Sequence, residues 1–118
     1  MAVTKTARTL QASISNAAGA TKTGTGLDLT TALGLEVVGK ITNGGTGPTI
    51  GCSFVLEISN NGTDWFEWFR GLGKTANDEV TNFLVNVPSE VMHVRSVFSG
   101  NTGQAVTVEC VGHELTSI

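Results

Sequence analysis

Apolar and polar residues alternate with a period of two along most of this chain. Leu10, Ala12 and Ile14 alternate with Gln11, Ser13 and Ser15 from Thr9 onward. Leu27 and Leu29 mark a short run over 26–30, and Leu35, Val37 and Ile41 mark another over 35–42. The longest alternation runs through Ile50, Cys52, Phe54, Leu56 and Ile58. An aromatic segment then continues to about Arg70, and 80–87 is closed by Pro88. Two more runs follow: 91–98, with Met92, Val94 and Phe98 on one side, and 104–111, with Val106, Val108 and Cys110 on one side. Side chains two apart on a strand share a face, so each run reads as a half-buried strand. The separators are turn chemistry: NAAGATKTGTG at 16–26, NGGTGP at 43–48, a polar loop at 71–79 and SGNTG at 99–103. A helical turn at 31–34 is too short to be a stable helix. About eight short strands with no helical period define an all-β fold, a single antiparallel β-sandwich with a jelly-roll-like arrangement. Residues 1–8 read as a flexible N-terminal arm and 9–118 as the sandwich domain.

The most informative segment is Ile58–Phe69, ISNNGTDWFEWF. Asn61-Gly62 is a strong hairpin signal, because both central residues of a type I′ turn need φ > 0. Beyond it stand Trp65, Phe66, Trp68 and Phe69, four of the seven aromatic residues in the chain. A two-residue loop pairs Ile58 with Trp65, sends Trp65 inward, and leaves Phe66 and Trp68 outward beside Val55. A three-residue loop reverses this and exposes Trp65 and Phe69. Either register leaves one apolar pair outside. The two-residue turn is the expectation, with Phe66 and Trp68 facing a partner, since Trp and Phe are favoured interface anchors. A long loop folded over the pair and a sugar-stacking platform are the alternatives.

Composition narrows the class. At 118 residues the chain makes one domain and can build a core without metal or disulfide. Charged residues are 14% of the chain, against about 25% in ordinary domains. Fifteen glycines and seventeen threonines stand in their place, which favours strands and turns. So little charge protects a surface poorly against association, which points to an oligomer. The net charge is −3, and the seven basic residues are scattered. A nucleic-acid binder needs a basic stripe, so no nucleic-acid partner is expected. The N-terminus carries no apolar run and nothing resembles a membrane span, so synthesis in a cytoplasm and no membrane partner are expected.

Candidate chemistry does not accumulate. His93 and His113 have no neighbours at metal-ligand spacing. Asp64 and Glu67 flank the aromatics, but three residues apart on a strand they face opposite sides, which does not suit a carboxylate pair. Gly71–Thr75 (GLGKT) resembles the end of a phosphate-binding loop, yet Trp68 stands where the full motif needs glycine. Cys52 and Cys110 both fall on inward positions and read as buried thiols. Their spacing around Trp65 is close to that of immunoglobulin domains, but Val108 occupies the tyrosine-corner position. No catalytic residue, cofactor or metal is expected.

A resemblance adds a more specific expectation. Ser59–Trp65 resembles an SNDGTxW-type hairpin, and Val94-Arg95-Ser96-Val97 followed by Ser99–Val108 resembles a VRV-SGNTG-xVTV hairpin. This combination is similar to small β-sandwich virion proteins of tailed bacteriophages. It covers roughly the second half of the chain, and the second tryptophan and the Thr/Gly-rich first half depart from it. The resemblance implies a capsid decoration (cement) protein, a homotrimer bound to the major capsid protein of the head. The N-terminal arm would then add to a neighbouring sheet edge, with Lys5 and Arg8 meeting an acidic capsid surface. The runner-up is a carbohydrate-binding module of a tail or fibre. If Phe66 and Trp68 lie in a subunit contact, Trp68→Ala should give monomers; on a sugar platform the same change should spare assembly.

Overall fold

Each apolar alternation becomes a strand of a two-layered sandwich, because a sheet that is apolar on one face is stable only when that face meets another. The structure, a computed structural model, describes residues 3–117. The strands are β1 (Thr4–Asn16), β2 (Lys22–Thr23), β3 (Leu27–Asp28), β4 (Gly34–Asn43), β5 (Ser53–Ser59), β6 (Phe66–Leu72), β7 (Val80–Val87), β8 (His93–Ser99) and β9 (Val106–Ser117). One sheet has the order β1-β9-β4-β7; the other has the order β2-β8-β5-β6, with β3 also on β8. All pairings are antiparallel. If β2 and β3 are taken as one interrupted strand, this is the eight-stranded jelly roll of two interlocked Greek keys.

The core lies between the sheets and is built from the residues that the alternation marked. Leu27, Leu29, Leu35, Val37 and Ile41 are buried there, as are Phe54, Leu56, Val94, Phe98, Val106 and Val108. Phe54 is its centre, with Phe98 at 5.2 Å and Phe83 at 5.5 Å between ring centroids. Gly39 on β4 lies over the Phe54 ring so closely that a Cβ there would sit 2.8 Å from it. Only glycine leaves room for the ring at that point.

Five local expectations are corrected. Residues 4–8 are not a loose arm: they open β1 and pair with β9 from Thr4↔Ser117 to Arg8↔Gly112. Residues 1–2 lie outside the described residues. The last strand runs on to Ser117, so His113 is inside β9, opposite Ala7 and Glu36. Ile50 lies before β5, bridges to Thr102 and is exposed. Register shifts in β1 turn Ile14 outward. At the start of the seventh run Val91 is buried and Met92 exposed, because Val91 N–H closes a turn onto Pro88 O at 3.2 Å before the strand begins.

Two buried asparagines fasten the Thr/Gly-rich loop at 16–26 to the turn at 99–103. Asn16 Nδ2 donates to Asn101 Oδ1 at 2.7 Å and to Ala20 O at 3.1 Å. Asn101 Nδ2 donates to Asn16 O at 3.2 Å and Gln104 O at 3.0 Å. The backbone joins in, with Gly19 N–H donating to Asn101 O at 2.8 Å.

Candidate functional site

The Asn-Gly segment forms a wider turn than its dipeptide suggests. Ile58 pairs with Phe66, so six residues, 60–65, connect β5 and β6. Side chains take over the backbone donors here. Ser59 Oγ accepts from Asn61 N at 3.2 Å and from Gly62 N at 2.9 Å. Asn61 Oδ1 accepts from Thr63 N at 2.8 Å and Asp64 N at 2.9 Å, and Asn61 Nδ2 donates to Asp64 Oδ2 at 2.8 Å. Gly62 takes φ +77° while Asn61 stays at negative φ, so a type I′ turn does not form. Such Ser and Asn side-chain bonds are the known competitors of regular pairing.

Trp65 is consequently outside the strand and outside the core. Its ring lies 4.3 Å from the Arg95 guanidinium, which donates through Nε to Glu57 Oε1 at 2.7 Å. It also packs on Gly26, where a Cβ would come within 3.1 Å of the ring. This is a cation–π stack over a half-buried ion pair, and it fastens the hairpin end to β8.

Phe66 and Trp68 are exposed, at 63% and 47%, as the sequence led one to expect. The route to that exposure differs. Leu56 pairs with Phe69 but Glu57 pairs with Glu67, so Trp68 is the extra residue of a β-bulge. The bulge breaks the alternation: Phe66 shares the side of its partner Ile58, which packs on the core, and Trp68 does not follow it there. Phe69 faces inward, 6.0 Å from both Phe54 and Phe83. Phe83 comes from β7, and its ring fills the space that a side chain at Gly71 would need. These contacts stack β6 on β7, the edge strands of the two sheets, along one side of the sandwich. Leu72 of β6 and Val80 and Leu84 of β7 are also exposed, on the outer faces of their own sheets.

Lys5 and Arg8 belong to the opposite side. β1 is the first strand of its sheet and β7 the last, so the four residues expected to share one interface are divided between two edges. Arg8 already has a partner within the chain: its Nη1 donates to Glu114 Oε2 at 2.6 Å, and the Glu114 side chain is only 5% exposed. The guanidinium neutralises a carboxylate on the core side of β9 and is not free for an acidic capsid surface. Lys5 borders a depression of about 600 Å³, together with Glu36, Asn86, Val87, His113 and Leu115.

The ionisable groups are otherwise separated or engaged. Asp64 is held by Asn61, and Glu67 by Arg70, whose Nη2 lies 2.7 Å from Glu67 Oε1. Among the described residues no three of His, Cys, Asp and Glu gather where they could hold a metal ion. Cys52 and Cys110 are buried free thiols. Burial pushes Cys52 up to about 11 and Cys110 up to about 12, so both stay protonated and poorly nucleophilic near neutrality. Among the described residues no helix is long and apolar enough to cross a membrane.

No protein-family model matches this chain, and no curated protein sequence does either. Solved structures do share its fold. The K3 cleaved adhesin domain of Lys-gingipain from Porphyromonas gingivalis W83 superposes with a TM-score of 0.61 at 11% identity, covering 86% of this chain and 73% of that one. The structure of infectious bursal disease virus, Gx strain, superposes at 0.58 and 11% identity over 97% of this chain, which spans 32% of the viral chain. The SPBc2 prophage-derived protein YomS superposes at 0.54 and 15% identity, covering 98% of this chain and 96% of that protein. At such identities the likeness establishes the sandwich fold alone.

Proposed function

We propose that this protein is a structural component of a virion, a capsid decoration protein that binds the assembled head as an oligomer and performs no catalysis. The observation that carries the reading is the exposure of two large aromatics, Phe66 and Trp68, on a bulged edge strand. Large exposed aromatics on a rigid strand are strong anchors for a protein partner. The low charge of the chain and the separation of its titratable groups support a binding role over a chemical one. The viral and prophage-derived structures of similar fold and the SNNGTDW and VRSVFSGNTG segments agree with it. The partner is the major capsid protein, met by the β6 edge. A flat sugar platform is less well served, because Arg95 covers Trp65 and the bulge separates Phe66 from Trp68.

Co-sedimentation with assembled particles of the virus that encodes this gene tests the reading. Wild-type protein should pellet with the particles, and Trp68→Ala and Phe66→Ala should each weaken binding about 10- to 100-fold, the range of interface anchors. Absence of wild-type binding, or equal binding by both variants, would remove this function.

A further inference from the structure

Edge strands expose unpaired N–H and C=O groups, and folded proteins blunt them with charges, bulges, prolines or shortness. Three of the four edges here carry such devices. β6 has the bulge at Trp68 and the charges of Glu67 and Arg70. β1 has register shifts and contains Lys5 and Arg8. On the remaining edge, β2 and β3 have two residues each.

β7 has none of them. Its sequence, VTNFLVNV, contains no charge and no proline. It pairs with β4 over eight consecutive positions, Leu35↔Val87 to Thr42↔Val80, without a register shift. Among the described residues no strand pairs with its other side. Leu84, at its middle, is 64% exposed.

We propose that the free edge of β7 is the self-association surface of this protein, pairing antiparallel with β7 of a second copy about a two-fold axis at Leu84. The edge is self-complementary in that register. Residues opposite one another in an antiparallel pair point to the same side. A two-fold at position 84 sets Leu84 against Leu84 of the second copy and Asn82 against Asn86 twice, all on the outer side. On the inner side it sets Phe83 against Val85. Polar meets polar, apolar meets apolar, and no charge is buried. The pairing joins the two β1-β9-β4-β7 sheets into one continuous sheet and covers Leu84 together with the neighbouring Val80. A contact along an eight-residue strand covers on the order of 500 Å² per copy, or about 1,000 Å² in total, the lower bound of a specific interface and the size of a weak, reversible dimer. Such an isologous contact closes on itself and yields a dimer, not the trimer that the phage resemblance implies.

The proposal is independent of capsid binding, which uses the β6 edge. Sedimentation velocity of the full chain up to about 100 μM should give twice the 12.2 kDa mass of one chain. Leu84→Lys replaces the apolar pair at the two-fold by two like charges face to face, so it should weaken association about 10-fold while leaving the circular dichroism spectrum unchanged. Hydrogen exchange at β7 amides that point away from β4 should slow as wild-type concentration rises. Trp68→Ala should leave the mass unchanged. A single-chain or three-chain mass for the wild type would overturn the proposal. So would an unaltered dimer in Leu84→Lys, or a Trp68→Ala variant that becomes monomeric. A monomeric Leu84→Lys that still pellets with particles separates this contact from the capsid-binding reading.

Discussion

Asn101→Ala should lower the melting temperature by about 12–16 °C, the largest loss expected of any single side chain outside the apolar core. Asn101 is fully buried, and its side chain bonds both Asn16 Nδ2 and the carbonyls of Asn16 and Gln104. Alanine removes all of these partners and leaves buried polar groups without water to replace them. Each such group costs about 1–3 kcal/mol, so the change should cost about 3–4 kcal/mol in all. At about 0.25 kcal/mol/K of unfolding entropy for a chain of this size, that gives the stated shift. The loop at 16–26 should also lose its attachment to the turn at 99–103, and its amides should exchange faster. A melting point within about 3 °C of wild type would show that the network is dispensable.

Arg8→Ala should be the second most damaging change at the polar positions, costing about 2–4 kcal/mol. Its magnitude comes from what remains: Glu114 stays buried in β9 with its counter-ion gone. The cost is set below that of a fully buried pair because Arg8 itself is 30% exposed. Arg8→Met combined with Glu114→Gln removes both charges and keeps most of the packing, so the double variant should recover at least half of the loss in urea denaturation. If the double variant were no more stable than Arg8→Ala, the charge pairing would not be the cause. Arg8 was expected to meet a capsid; the ion pair instead gives it a task within the fold.

The fold was readable because period-two alternation survives in β4, β5 and β9, where Leu35, Val37, Phe54, Leu56, Val106 and Val108 all face inward. The same rule failed where a local device broke the period. Bulges redirected Ile14 and Phe66, and the Ser59 and Asn61 side chains opened the Asn-Gly turn. The exposed aromatic pair was therefore reached by a register that the dipeptide did not indicate. Two features depended on contacts distant in sequence and left no local signal: Arg8 with Glu114, and Asn16 with Asn101. The β7 edge was open to a closer reading, since its eight residues carry no charge. What the residues alone did not tell was that β7 is an edge, because that depends on the order of strands in the sheet.

The most direct test of the proposed virion role is peptide mass spectrometry of purified phage particles produced from a genome that carries this gene. The expected result is that its peptides, including the segment around Phe66 and Trp68, are present in a fixed ratio to the major capsid protein and persist through density-gradient purification. Purified, infectious particles with no trace of the chain would contradict a structural role in the virion.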